Sequence, residues 1–379
     1  MNLKNRDTRW GFISPLSPAL GLVYYLLLLT KFKEIWHGIK TNKATRAALL
    51  GLTIAGVLSA LLSTNKVEGL LNMPIPIVFI FIYALARWGI QKPQEFLRAL
   101  VLGCGVLGLI VVISSQLRLN IWWGSIPILA RFTGRGNVLG MADNGLAAMM
   151  EAGVAGGVGL FLYETRYRWL YLLASVVSLL AIFATYSRGS MVAVLAAALL
   201  IFALDIKLVK RHWKLIVALG FLVVVVISQS PGLARRVSSI TSAHDRSNIG
   251  RLQIYEVTWQ MIKEHPLLGI GPGQYGNVYE TYRPEGYLKA RSPHNLYLFV
   301  LAGWGLVGFM LFFGWMANAV IYPLIKDNSP YRRIAFVMMI SFWVHVLFND
   351  IYIAHVPLIM GCIAHPKLGS KDTQNTESI

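Results

Sequence analysis

The stretch AIFATYSRGSMVAVLAAALL (residues 181–200) decides the fold. A single arginine, Arg188, interrupts an apolar run that extends from Trp169 to Leu204. A helix needs about 20 apolar residues to cross a bilayer, so a run of about 35 supplies two spans. Tyr186-Ser187-Arg188-Gly189-Ser190 is then the turn between them. Two questions follow: which side of the membrane the turn faces, and what the arginine holds there.

Composition carries this reading to the whole chain. It is 56% hydrophobic and 14% charged, against about 25% charged residues in soluble domains. This is the profile of an all-α polytopic membrane protein. Apolar spans fall near 16–31, 45–63, 70–89, 96–114, 142–163, 169–186, 190–206, 213–229, 295–320, 332–349 and 351–365, which makes 11, or 10–12 given uncertain ends. The first run lacks a small-residue cleavage site, so no cleavable signal peptide is expected. Cys104 and Cys362 lie inside apolar runs and imply neither a disulfide framework nor a metal site.

The net charge of +18 sits mostly in short connections between spans. That distribution favours anionic membrane lipids as the partner and argues against nucleic acid. Basic connections surround Lys31–Arg46, Arg87–Arg98, Arg166–Arg168, Lys207–Lys214 and Lys326–Arg333, and Lys367 and Lys371 follow the last span. The positive-inside rule makes all of these cytoplasmic. Segments 64–69, 115–141, 187–189, 230–294 and the Asn349–Asp350 turn then face outward. The N-terminus conflicts, because parity sends the basic MNLKNRDTR segment outside. The expected division is an N-terminal bundle (1–229), an outer loop with an interfacial helix (230–294), C-terminal spans (295–366) and a disordered cytoplasmic tail (367–379).

The long outer loop carries the chemistry. Residues 249–265 read as an amphipathic helix with Leu252, Tyr255, Trp259 and Ile262 on one face. Ser247 or Asn248 is placed to cap it and Pro266 ends it. Arg251 lies in its first turn. Gly271, Gly273 and Gly276 form a G-x-G-x-x-G match, but no strand or βαβ unit precedes it, so a dinucleotide site is rejected. The glycines instead suit a tight turn back toward the membrane. His294 then stands at the mouth of the next span. Arg188, Arg251 and His294 thus share one face of the membrane in three separate segments.

Other polar residues are read more plainly. Asn144 and Glu151 share a helix face, and Glu151, two turns deep, needs a cavity or a partner. An active-site arginine and a residue of another helix are the two options. Arg131 and Arg135 are solvated loop charges or glycan contacts. Asn349 and Asp350 are read as a solvated turn, and His345 and His355 as packing or interfacial residues. Arg283, Lys289 and Arg291 suit an anionic acceptor or lipid headgroups, and Tyr275, Tyr279, Tyr282 and Tyr287 interleave with them.

TYSRGSMVAVL (185–195), GRLQIYEVTWQMIKEHPLLGIGPGQYGN (250–277) and SPHNLYLFVLAGWGLVGFMLFF (292–313), with MADNGLAAMM (141–150) upstream, resemble in order and spacing the bacterial O-antigen ligase and polymerase superfamily. The resemblance covers roughly residues 140–320. It implies a multi-helix glycosyltransferase of the GT-C type in the bacterial inner membrane, with its site facing the periplasm. The implied donor is a glycan on undecaprenyl diphosphate. The acceptor is lipid A–core oligosaccharide in the ligases and another lipid-linked glycan in the polymerases. Carried over by motif, the implied catalytic residues are Arg188, Arg251 and His294. Guanidinium groups suit a departing diphosphate, and histidine suits a general base. Arg291, Tyr275 and Glu151 join Arg188 and Arg251 as expected substrate contacts. With two arginines, no cofactor and no metal are expected, and direct displacement inverts the anomeric centre. Within the same chemistry the alternatives are a polymerase or a protein O-oligosaccharyltransferase. Outside it, a small-anion transporter is disfavoured because no internal repeat or pair of broken helices is visible.

Overall fold

The computed structural model describes residues 5–16, 29–117, 121–123, 126–129, 137–138, 141–350 and 355–369. Among these the helices, in chain order, are α1 (Arg6–Ile13), α2 (Phe32–Thr41), α3 (Lys43–Leu62), α4 (Lys66–Asn72), α5 (Pro74–Ala84), α6 (Pro93–Leu117), α7 (Asp143–Tyr163), α8 (Arg168–Thr185) and α9 (Arg188–Leu204). They continue with α10 (Ile206–Arg211), α11 (Trp213–Ser228), α12 (Pro231–Ser238), α13 (Arg246–Glu264), α14 (Tyr275–Tyr282), α15 (Leu296–Lys326), α16 (Pro330–His345) and α17 (His355–Ile363). Between α6 and α7, where a loop was expected, the chain forms a four-stranded antiparallel meander within 121–142.

Among the described residues, six helices are long and apolar enough to cross a membrane: α3, Lys66–Gly89 (α4, α5 and the π turn that follows), α6, α7, α8 and α15. A seventh is reached if α11 and α12, bent by 105°, count as one broken span. The expected 11 (10–12) spans are therefore not confirmed among the described residues. The apolar runs at 190–206, 332–349 and 351–365 form shorter helices: α9 has 17 residues, α16 has 16 and α17 has 9. The first run, 16–31, lies largely outside the described residues.

The centre of the bundle is α7, whose most apolar window is 83% buried. Helices α6, α8, α9 and α16 pack around it. Its EAGVAGGVG segment explains why it fits there. A Cβ on Gly153 would stand 2.4 Å from Ser178 Oγ, and one on Gly157 would stand 2.6 Å from the Tyr171 carbonyl. Small residues let helices approach closely where lipid provides no hydrophobic drive.

The two ends of the bundle differ chemically. At one, Arg98 pairs with Glu164 (2.7 Å) and Arg333 with Asp205 (2.7 Å). The N-terminal α1 is tied to this same end. Asp7 Oδ2 accepts the backbone N–H groups of Gln91 and Lys92 (2.8 Å each), and Thr8 donates to Glu95 (2.8 Å). The basic N-terminal segment thus lies with the basic connections, which removes the parity conflict for residues 5–16. Arg188 lies at the other end, separated by the length of α7, about 31 Å for 21 residues.

At the Arg188 end, α15 is broken. Gly305 leaves the helix at φ 64° and ψ −172°. The 266–271 loop fills the gap: Ile270 N–H donates to Ala302 O (2.9 Å), Gly271 N–H to Gly303 O (3.1 Å), and Leu306 N–H to Pro266 O (2.8 Å). Backbone groups freed inside an apolar span must find such partners. A Cβ on Gly305 would stand 2.2 Å from the Leu267 carbonyl, at a positive φ. Gly305→Ala is therefore expected to destabilise by about 1–3 kcal/mol, read as a lower unfolding midpoint in detergent.

Candidate functional site

Helix α8 ends at Thr185, Tyr186 adopts φ 55°, and Ser187 is the N-cap position of α9. Arg188 is therefore the first helical residue. A guanidinium there adds to the positive end of the helix dipole, a combination that calls for an anion. Part of that anion is supplied from the 230–294 segment. Arg188 Nη1 donates to Ser239 O (3.0 Å), Ser239 Oγ (3.2 Å) and Asp245 Oδ1 (3.1 Å), and Nη2 donates to Ser247 Oγ (2.9 Å). The arginine is 7% exposed.

Asp245 also starts α13. Its carboxylate accepts the N–H groups of Ser247 (3.1 Å) and Asn248 (3.2 Å). The cap is thus Asp245, not Ser247 or Asn248. Burial alone would raise its carboxyl, but the hydrogen bond and charge of Arg188 and the two backbone donors hold it below the usual carboxylate range. A group depressed in the fold stabilises above its unfolded value, near 3.9, and loses that contribution as pH falls through its lower folded value. Docking of residues 239–248 on Arg188 should therefore loosen on acidification below about pH 4. Hydrogen exchange at Ser247 and Asn248 against pH reads this out, and Asp245→Asn should show the loosened state at neutral pH.

Two further arginines gather here. Arg236, on the α12 helix that turns away from α11, donates to Tyr186 O (3.0 Å). Arg251, one turn into α13, is half-buried and donates no hydrogen bond to any described residue. Burial lowers its pKa, opposed by Tyr255, and Arg188 and Arg236 lower it further by charge. It stays protonated, as arginine does in proteins. Three guanidiniums thus lie within Coulombic reach of one another around a single carboxylate.

The apolar face expected for α13 is displaced. Its buried side consists of Gly250, Ile254, Val257, Thr258, Met261 and Ile262, while Leu252 and Trp259 are exposed. Tyr255 belongs to neither set. It follows Arg251 by four residues, so the two share a helix edge. Its hydroxyl donates to Leu347 O (3.3 Å) and meets the Asn295 side chain. Asn295 caps α15 by accepting Leu298 N–H (3.1 Å). Tyr255 thereby connects the arginine cluster to His294.

His294 is half exposed and adopts φ 50°, a left-handed conformation uncommon outside glycine. Its Nδ1 faces Asp350 Oδ1 at 3.7 Å. Asp350, read from sequence as a solvated turn residue, is half-buried beside the histidine.

Beneath this surface runs a buried polar chain. Glu151 contacts His345 Nδ1, and both are almost fully buried. Ser190 Oγ lies 3.0 Å from the same nitrogen. Asn349 Nδ2 donates to His345 Nε2 (2.7 Å), Asn144 Nδ2 donates to Asn349 Oδ1 (2.8 Å), and Ser187 Oγ donates to Asn144 Oδ1 (3.0 Å). With Nε2 accepting, His345 carries its proton on Nδ1, toward Glu151. Glu151 therefore takes His345 as partner, not an arginine, and it lies beneath the surface where a substrate would dock. His345 is a network residue, not packing. The chain runs from residue 187, beside Arg188, to residue 349, beside Asp350. Breaking a buried pair costs about 3–5 kcal/mol, so Glu151→Ala should lower the unfolding midpoint severely.

Two expected substrate contacts lie elsewhere. Tyr275 is 2% exposed, packed with Tyr279 in a small core that includes Ile254, Val257 and Met261, and bonded to Thr258. It has no free face for a sugar. Arg291 is exposed and lines a cleft with Glu68, Glu280 and Lys289, a cleft that Arg188, Arg236 and Arg251 do not line. Arg131 and Arg135 fall outside the described residues. Arg236, Tyr255 and Asp350 were missed; the i,i+4 spacing of Tyr255 from Arg251 was the one sequence signal available.

A helical bundle with several apolar span candidates is consistent with a polytopic membrane protein, and this one gathers arginines, a histidine and carboxylates at one end. Residues 173–313 match the family model described as O-antigen ligase. The match supports the O-antigen ligase and polymerase superfamily read from the motifs, and it takes in Arg188, Arg236, Arg251 and His294. A search of the curated proteins finds no match.

Proposed function

We propose that the chain is an inner-membrane glycosyltransferase that moves a glycan from undecaprenyl diphosphate to lipid A–core oligosaccharide at the periplasmic face. The observation that carries this reading is Arg251: a half-buried guanidinium without a hydrogen-bond partner among the described residues, beside Arg188 and Arg236. Residues 1–229 and 295–366 form the membrane body, and 230–294 bears the docking surface above it.

Arg251 binds the diphosphate oxygens. Arg188 and Arg236 supply charge, while Arg188 spends its donors on holding the 239–247 segment. The acceptor hydroxyl attacks the anomeric carbon from the face opposite the diphosphate. The new C–O bond forms as the bond to the phosphate oxygen breaks, and the diphosphate leaves with the electron pair. His294 takes the hydroxyl proton on Nε2, because its Nδ1 faces Asp350. Asp350 stabilises the imidazolium that results. The anomeric centre inverts. The arginines take the place a divalent cation holds in other diphosphate-leaving transferases, so transfer proceeds without added metal.

The test is reconstitution. Purified protein, undecaprenyl-diphosphate glycan and lipid A–core should yield extended core and free undecaprenyl diphosphate in the presence of a chelator. No transfer, or transfer that needs a divalent cation, contradicts the mechanism. Polymerases share the donor chemistry. Lipopolysaccharide from a deletion strain separates the two: bare core indicates a ligase, and core with one repeat unit indicates a polymerase.

A further inference from the structure

A cleft of about 700 Å³ opens between the C-terminal end of α3, the 265–270 loop and α14. This falls within the usual range of ligand sites, roughly 300–1,000 Å³. Although the chain carries a net charge of +18, no lysine or arginine among the described residues lines this cleft. Its polar lining combines the amides Asn65, Gln274 and Asn277 with the hydroxyls of Thr64, Thr281 and Tyr282 and the imidazole of His265, and Leu267, Leu268 and Val278 form its apolar side.

The amides are arranged in advance. Glu68 Oε2 accepts Asn65 (3.4 Å), Gln274 (3.4 Å) and Asn277 (3.3 Å), and Gln274 Nε2 also donates to Asn65 O (3.2 Å). Gln274 is 1% exposed, yet its Oε1 accepts no hydrogen bond. A buried amide oxygen without a donor costs about 1–3 kcal/mol, and a small rotation of the Gln274 side chain toward the cleft would let a ligand hydroxyl supply the donor. Asn277 also lines the neighbouring cleft of about 730 Å³ that holds Glu68, Glu280 and Arg291. Amides and carboxylates facing apolar walls match an array of hydroxyls on C–H faces. With hydroxyls and amides outnumbering the single imidazole of His265, the first cleft suits a neutral polyol better than a phosphate.

We propose that these adjoining clefts bind an oligosaccharide chain, with Gln274 and Asn277 as hydroxyl-reading residues. The proposal rests on the glycosyltransferase reading and extends it. From Arg251 to His265 is 14 residues along α13, about 21 Å at 1.5 Å per residue. The clefts therefore hold sugars several units from the diphosphate, on either the donor or the acceptor glycan.

The test uses the full-length protein in detergent and three probes: phosphate-free oligosaccharide released from the cell's lipid-linked donor, core oligosaccharide released from its lipopolysaccharide, and farnesyl diphosphate. One of the two oligosaccharides should bind in saturation-transfer NMR, and which one identifies the glycan. Asn277 is exposed, so Asn277→Trp fills the wall shared by both clefts without entering a core. It should weaken oligosaccharide binding about tenfold or more and leave farnesyl diphosphate binding unchanged. Gln274→Leu, checked by its unfolding midpoint, should weaken the same oligosaccharide. The proposal is overturned if neither oligosaccharide binds, if Asn277→Trp binds it like wild type, or if Asn277→Trp instead loses farnesyl diphosphate. Oligosaccharide binding that Asn277→Trp abolishes, without any farnesyl diphosphate binding in wild type, supports the clefts and counts against the donor reading alone.

Discussion

Arg251→Ala is expected to lower glycan transfer by about 10²–10³-fold, the loss seen when one preorganised donor to a developing oxyanion is removed. It should do so with little change in the unfolding midpoint, because the guanidinium donates no hydrogen bond to any described residue. Arg188→Ala should differ in kind. It removes four hydrogen bonds to Ser239, Asp245 and Ser247, leaves Asp245 without its cation, and should lower activity and stability together. Arg251→Lys should recover only part of the activity, since an ammonium keeps the charge but lacks the planar fork that meets two phosphate oxygens. The decisive comparison is transfer rate against unfolding midpoint for the three variants. An Arg251→Ala protein that transfers at the wild-type rate would remove the diphosphate role from this residue and leave the cluster as structural.

His294→Asn is expected to cost about 10²–10⁴-fold in the transfer step, the usual worth of a general base. Asparagine is the appropriate probe because it tolerates the left-handed backbone found at this position. Loss of activity then reports the imidazole and not a strained turn. Binding of farnesyl diphosphate should persist, because the arginines are untouched. Asp350→Asn should give a smaller loss, since it removes the charge facing the imidazolium but keeps the base. If His294→Asn transfers normally while Asp350→Asn does not, the carboxylate is the base and the assigned roles exchange.

The candidate site was partly legible in the chain, and the reasons are local. A charged residue inside an apolar run twice the length of a span has no plausible place except a turn, so Arg188 marked itself. Of the glycines read as a tight return, Gly271 and Gly273 take positive φ, as does Gly269 before them, whereas Gly276 lies inside α14. Residues whose role depends on distant neighbours gave no such signal. Asp350 and His294 are 56 positions apart, and Glu151 and His345 are 194 apart. Tyr275 shows the opposite error. A tyrosine near a membrane surface has the same local pattern whether it stacks on a sugar or fills a core, and only packing against Ile254 and Val257 separates the two.

The sequence by itself determined that the chain is helical and membrane-spanning, where its main turn lies, and that arginine and histidine belong to one end. Hydropathy and charge act through the nearest few residues and the solvent, so they can be read along one dimension. Tertiary structure alone decided which arginine is committed to the fold and which donates to no described residue, that a carboxylate faces His294, and that Glu151 anchors a buried chain beneath them. Those outcomes depend on which hydrogen-bond donors meet which acceptors across helices, and that pairing exists only once the helices have packed.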